Sequence, residues 1–160
     1  MNWNEISNRY KNVGKNLIGK TNEGTSGLKD GLGKGSQDLS DIRRTHKVLL
    51  RIGFEFLVKS LYLKKGWNIY KFKIRPKDRQ IQQFVNLNEL ELDLGKTMKF
   101  EKLIDNIHSV VPSYQDLLNL KSNLHKIREE GNRAIHSDKV DSIELSHVTR
   151  LRDNITNLMV

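Results

Sequence analysis

The sequence predicts a mainly α protein: a bundle of four substantial helices, a small extended β insert between the first and second of them, and an N-terminal amphipathic helix on a glycine-rich linker. Three observations lead there. Apolar residues recur at spacings of three and four over several long segments. Capping residues, glycines and a proline punctuate those segments at helix ends. The links between them are short, and no internal repeat of 20 to 50 residues interrupts the pattern. The expected organisation is a helix over 1–20, a flexible linker over 21–37, and a helical domain over 38–160 with its insert at about 67–96.

The chain of 160 residues has the size of one ordinary domain. Hydrophobic residues make up 36% and charged residues 29%, the balance of a globular protein with a polar surface. No apolar run approaches the roughly 18 residues of a membrane span, and "MNWNEISNRY" lacks the apolar stretch of a secretion signal. A cytoplasmic protein without membrane contact is expected. The absence of cysteine removes disulfides, thiolate metal sites and cysteine nucleophiles together.

Within the first segment, Trp3, Ile6, Tyr10, Val13 and Leu17 fall within roughly 80° on a helical wheel, an amphipathic stripe. Its end contains "GKNLIGKT", Gly14 to Thr21, which satisfies the string of a phosphate-binding loop. That loop works between a buried strand and a helix N-terminus, where backbone N–H groups surround phosphates. Here a helical pattern precedes the string. The tract "NEGTSGLKDGLGKGSQ" follows it, which reads as a flexible linker. Both flanks are wrong for that mechanism, and a nucleotide hydrolase comes last among the readings.

The first long helix is predicted from about Asp38 or Ser40 to Lys65, ending in "LKKG", with Ile42, Leu49, Ile52, Phe56 and Leu63 facing the core. Two short strands follow from alternation: "YKFKIRP" with Tyr70, Phe72 and Ile74 on one side, and "ELELDL" with Leu90, Leu92 and Leu94. If they pair, lysines face carboxylates across the ladder, for about 0.2–1 kcal/mol per good pair; the leucines also fit a helix. Thr97 is placed to cap a helix through Phe100, Leu103, Ile104, Ile107 and Val110 that stops at Pro112. "SYQD" opens the next helix at Ser113, which continues to about His136, and the last runs from about Asp141 to Leu158.

Charge is uneven. The net charge is +9, and residues 42–79 hold twelve Lys or Arg against Glu55 and Asp78 alone, whereas residues 80–160 hold ten basic against twelve acidic. A basic face made by Arg43, Arg44, Lys47, Arg51, Lys71, Lys73 and Arg75 suits a phosphate backbone or an acidic partner, and equally a solvated surface. Tyr70 and Phe72 interleaved with lysines can stack bases while holding phosphates, or form an edge strand with its apolar side buried.

The most informative stretch is "LKSNLHKIREEGNRAIHS", Leu120 to Ser137. Leu117, Leu120, Leu124, Ile127, Gly131, Ala134 and Ile135 gather on one face about 100° wide. Gly131 at its centre costs about 1 kcal/mol relative to alanine unless another backbone approaches closely, or else it terminates the helix and Asn132 to Ser137 form a loop. His125, Arg128, Asn132 and His136 form a neighbouring polar ridge within roughly 80°. Imidazole transfers a proton near neutral pH, arginine stabilises a developing phosphorane, and Asn can orient either, a set suited to metal-independent RNA cleavage. The same side chains also serve as ordinary surface groups. No zinc set is in reach, because no third and fourth ligands lie nearby in sequence.

"IREEGNRAIHS", Ile127 to Ser137, resembles the last motif of the HEPN superfamily, in the branch with an R..GN.A.H signature found in prokaryotic restriction and antiviral defence proteins. "LLRIGFEFLVKSLYLKKGW", Leu49 to Trp67, resembles that family's opening helix, with Glu55 near its usual acidic position. The resemblance runs from about Leu39 to the C-terminus and rests on about ten residues. It implies a HEPN-like bundle that commonly forms homodimers and, in active members, a ribonuclease site in which R-x(4 to 6)-H motifs meet across the dimer. His136 and Asn132 fall on family positions, but Gly131 stands where the family arginine would be. Arg128 lies one turn earlier, and Arg133 leaves only two residues before His136.

The expected function is therefore a HEPN-like nucleic-acid or protein-binding and assembly module, in a prokaryotic or phage-related defence setting, without a cofactor. Its rival is a metal-independent endoribonuclease or toxin, as in toxin–antitoxin pairs, using His136 and Asn132 with Arg128 or Arg133. A third reading is an adaptor or inhibitor that docks a protein partner through residues 1–20.

Overall fold

The computed structural model describes residues 2–30, 36–74, 82–136 and 145–160, leaving out the side chains of 22–30, 36–40 and 145–146. Among the described residues there are six α-helices: α1 (Trp3–Asp30), α2 (Ser36–Lys64), α3 (Phe100–Asp105), α4 (Ile107–Val110), α5 (Leu117–His136) and α6 (Leu145–Leu158). One small antiparallel sheet joins β1 (Tyr70–Phe72) to β2 (Leu92–Thr97). The mainly α class holds.

Helix α2 is the axis of the molecule, packed by α1, α3, α5 and α6. Its buried side chains Phe54, Leu57, Val58, Leu61 and Tyr62 are all 0% exposed. The spacing-derived stripe on α2 is therefore corrected. Leu63 is buried, but Ile42, Leu49, Ile52 and Phe56 are only half-buried. α2 is apolar around most of its circumference, so spacing alone could not select the inward face.

The same correction applies to α1. Ser7, Gly14, Ile18 and Thr21 are buried against α2, while the apolar stripe Trp3, Ile6, Tyr10, Val13 and Leu17 lies beside that seam, half-buried or exposed. Small residues make the seam. The Ser7 hydroxyl donates to Ser60 O at 2.9 Å and the Ser60 hydroxyl donates to Ser7 O at 2.8 Å. Two turns further on, a Cβ added at Gly14 would lie 2.7 Å from Gly53 O, and one at Gly53 would lie 3.1 Å from Gly14 O and 2.8 Å from Ile18 Cγ1. Residues 7 and 60, and 14 and 53, fix α1 antiparallel to α2. Helix α1 then continues to Asp30 and α2 starts at Ser36. The linker expected over 21–37 is therefore largely helical, with 31–35 outside the described residues. Helices in proteins draw stability from the packed face more than from propensity, so burial of Ile18 and Thr21 on α2 overrides the glycines that follow.

Helix α2 ends as its "LKKG" signal predicts. Gly66 takes φ +80°, Trp67 N–H bonds back to Tyr62 O at 2.9 Å, and the chain turns into the insert. Asn68, fully buried, clamps the entry to β1 by bonding the N–H and O of Tyr70 at 2.9 and 2.8 Å. The register pairs Lys71 with Asp93 and Phe72 with Leu92, then a bulge brings Tyr70 opposite Thr97. Lysine and carboxylate do lie opposite each other, although Asp93 pairs with Lys96 at 3.4 Å. The expected row of leucines does not form: Leu92 is buried, but Leu90 falls in a short 3-10 turn and Leu94 in the bulge region, 78% and 45% exposed. Thr97 belongs to β2, and Lys99 occupies the position before α3. The next helix breaks at Asn106 into α3 and α4 and stops before Pro112. Residues 113–116 form a turn, so α5 opens at Leu117. Aromatic stacking of Trp3 on Phe84, with ring centroids 4.4 Å apart, ties the start of α1 to the insert.

The seam makes Gly14, Gly53 and Gly19 unequal. Gly14→Ala or Gly53→Ala places a methyl against backbone or Ile18 and should lower unfolding free energy by about 1–3 kcal/mol, whereas Gly19→Ala, with nothing within 4 Å, should raise it by about 0.5–1 kcal/mol. Urea denaturation of the three variants checks the contrast. His46 is 5% exposed, and burial lowers its pKa from 6.5. The unfolded chain therefore binds a proton that the folded chain resists, so stability present above pH 6.5 should fall as pH drops below it, until the lowered folded pKa is passed. In His46→Gln that acid-side slope should flatten when denaturation is repeated across the same pH range.

Candidate nucleic-acid interface

Helix α5 is continuous through Gly131, so Asn132 to His136 are helical and the polar ridge exists as spacing implied. Its halves differ. The first half docks on α3: His125 Nε2 lies 2.9 Å from Asp105 Oδ1, Arg128 Nε donates toward His125 Nδ1 at 3.4 Å, and the Arg128 guanidinium reaches Glu101 at 3.7 Å and Glu129 at 3.3 Å. With Nδ1 accepting from Arg128, the ring's Nε2–H donates a hydrogen bond to Asp105 Oδ1. Lys121 closes the contact by donating to Asp105 O at 2.9 Å. Arg128 is thus a structural clamp.

The second half is free. Asn132, Arg133 and His136 are exposed, and among the described residues none of their side chains has a hydrogen bond or ion pair. Helical geometry turns Asn132 and His136 about 120° or more away from the buried face, outward from the bundle. Arg128 and His136 are therefore not brought together. His125 and His136 stand about 16 Å apart along the axis, too far to share an ion. Among the described residues, no group of three His, Asp or Glu could hold a metal.

Gly131 has the close approach that its position demands, from a side chain: a Cβ there would lie 2.5 Å from Arg51 Cβ and 2.9 Å from Arg51 Cδ. Arg51 of α2 thus occupies the space over the glycine, and its guanidinium turns to Glu55 at 3.6 Å, with Lys59 on the same carboxylate at 2.7 Å. Lys47, 9% exposed, pairs with Glu130 at 3.7 Å. Lys47 and Arg51, placed by sequence on a basic face, both lie in the α2/α5 seam. Ile135, assigned to the core face, is 54% exposed.

These contacts set α5 antiparallel to α2, because Gly131 meets Arg51 while the first half of α5 reaches Asp105 of α3, whose Leu103 O accepts from Tyr62 near the end of α2. Arg43 and Arg44 accordingly lie toward the His136 end. Lys71 and Lys73, both exposed, follow Tyr70, which packs back beside α1 and α2 with Tyr10, Val13 and Phe56. The basic insert packs beside α1, whereas the polar ridge belongs to α5. Arg75 lies outside the described residues. Sequence reasoning missed the charge on α1: Arg9, Lys15 and Lys20 are exposed, and Glu5 is the single acidic residue within 2–21. That signal is present in the residues, masked by the apolar stripe and the glycine string that share the segment.

The phosphate-loop string itself lies in mid-helix. Thr21 is fully buried, its hydroxyl donating to Ile18 O at 2.6 Å, so its oxygen is closed to a magnesium ion from solvent. Among the described residues no helix is long and apolar enough to cross a membrane. No family model, curated protein or solved structure matches the chain.

Proposed function

We propose that this chain is a HEPN-like module that binds nucleic acid through the basic surface of α1 and the insert, and assembles through the exposed end of α5. One observation carries the binding half. Cations inside the fold such as Lys47, Lys59 and Arg128 have a carboxylate, in Glu130, Glu55 and Glu101. By contrast, Arg9, Lys15, Lys20, Lys71 and Lys73 have no carboxylate within 4.0 Å among the described residues. Lys99, Lys126, Arg133 and Arg150 are likewise exposed without a carboxylate among the described residues, and unmatched positive charge of this kind is what a phosphate backbone recognises, through release of its counterions.

The assembly half rests on the resemblance of Ile127 to His136 to a dimer-forming family, and on Ile135, an exposed apolar side chain between the free Asn132 and His136. The nuclease reading requires an arginine near His136. Within one chain Arg128 is clamped to α3 and Arg51 is turned to Glu55, so only a second copy or Arg133 could supply it. Binding without self-contained cleavage is the reading these placements favour.

Purified protein should bind labelled single-stranded RNA at low salt, with affinity falling steeply as salt rises. Lys71→Glu with Lys73→Glu should weaken it and lower the salt slope by roughly one for each phosphate that is no longer neutralised. The same strands incubated in EDTA should remain intact. Cleavage that disappears in His136→Ala would instead establish the nuclease reading, and no binding at low salt would remove the nucleic-acid one.

A further inference from the structure

Beside the α1/α2 seam, Ile6, Tyr10 and Val13 of α1 meet Phe56 of α2 and Tyr70 of β1, and there they leave a groove of about 270 Å³ lined by Ile6, Arg9, Tyr10, Val13, Phe56 and Tyr70. Its composition is unusual for an ordinary surface dent. Three of the six residues are aromatic, one is an exposed arginine without a carboxylate, and Val13 exposes 37% of its surface where a core helix would cover it. The rings are held in place by one another: Tyr10 and Phe56 pack with centroids 5.2 Å apart, and Tyr70 is backed by Trp3 at 5.9 Å. Burial, then the neighbouring Tyr10 through its charge and a side-chain hydrogen bond, push the Tyr70 hydroxyl up to about 12; Tyr70 is 6% exposed and backs the groove. Directly after Tyr70 come the exposed Lys71 and Lys73.

We propose that this groove is a base-stacking subsite that seats one unpaired nucleobase of a single strand, with phosphates held by Arg9 at its lip and by Lys71 and Lys73 on the insert. The inference rests on the nucleic-acid reading above and sharpens it to single strands. A duplex has its bases already stacked on each other and offers none to the groove, whereas a single strand can splay a base onto aromatic side chains and an arginine plane. Stacking of this kind tolerates any base, because every base has a π face, and it adds an affinity that phosphate contacts alone lack. Pre-ordered rings reduce the cost of immobilising side chains on binding. The charge around the groove selects an anionic occupant over an apolar peptide.

The test compares a labelled short oligouridylate with an abasic strand of equal length, by fluorescence anisotropy at low salt, using the full chain and Val13→Trp. Val13 is part-exposed on α1, so tryptophan there fills the groove without entering the core; circular dichroism melting confirms that the variant is folded. The wild-type chain should prefer the base-bearing strand by about tenfold or more. Val13→Trp should erase that preference while leaving the abasic strand within about twofold of its wild-type affinity. Equal binding of the two strands by the wild-type chain overturns the base subsite without any variant, and leaves the nucleic-acid reading standing. A preference that survives in folded Val13→Trp overturns the groove as its location. Failure of both strands to bind overturns both readings.

Discussion

The close crossing of α1 and α2 at Gly14 and Gly53 is the constraint from which most of this structure follows. With a Cβ at Gly14 placed 2.7 Å from Gly53 O, there is no room for even a methyl between the helices. The reciprocal Ser7 and Ser60 hydrogen bonds hold the same seam two turns away. Because small residues make the contact, the larger apolar residues of both helices are displaced to its flank. A core and a groove thus arise from one pair of helices. The core forms where α2 turns Phe54, Leu57 and Leu61 inward, and the groove forms where Tyr10, Val13 and Phe56 stand beside the seam.

A second division runs along α5. Its first half is fastened to α3 by Asp105 and Glu101, its middle is closed by Arg51 over Gly131, and its end carries Asn132, Arg133 and His136 into solvent. Chemistry that reads as one constellation in the sequence is thereby split into a structural clamp and a free terminus. Of the arginines that a phosphoryl-transfer site could draw on, Arg128 is engaged on α3 and Arg51 on Glu55, and Arg133 is exposed. The histidine projects outward from the bundle. A surface that binds and assembles is consistent with both facts, and it puts the unmatched charge of α1 and the insert to use.

Much of this was legible in the residues. Helix existence, the "LKKG" stop that becomes the Gly66 turn, the stop at Pro112, the buried face of α5 through Leu120, Leu124 and Ile127, and the need for close packing at Gly131 all follow from period and residue type. Other features were not, for a physical reason in each case. Hydropathy is blind to a seam of Ser7, Gly14 and Thr21, since those residues carry little apolar surface. Glycine content forecasts a linker over 21–37, but propensity yields to tertiary packing and α1 runs to Asp30. Charge counts place Lys47 and Arg51 on a basic face, while pairing with Glu130 and Glu55 depends on which helix lies opposite. The bulge between Tyr70 and Lys71 cannot be read from alternation, and it is what turns Leu94 out.

Helix α1 is thus an integral wall of one folded unit, carrying both the seam and half of the groove. The most direct test is the thermal unfolding, followed by circular dichroism, of a chain restricted to residues 36–160. Such a chain should lose the cooperative transition of the full chain, because Gly53, Leu57 and Ser60 of α2 would be stripped of their partner. A truncated chain that melts cooperatively at the temperature of the full chain would contradict this and return α1 to the role of a detachable appendage.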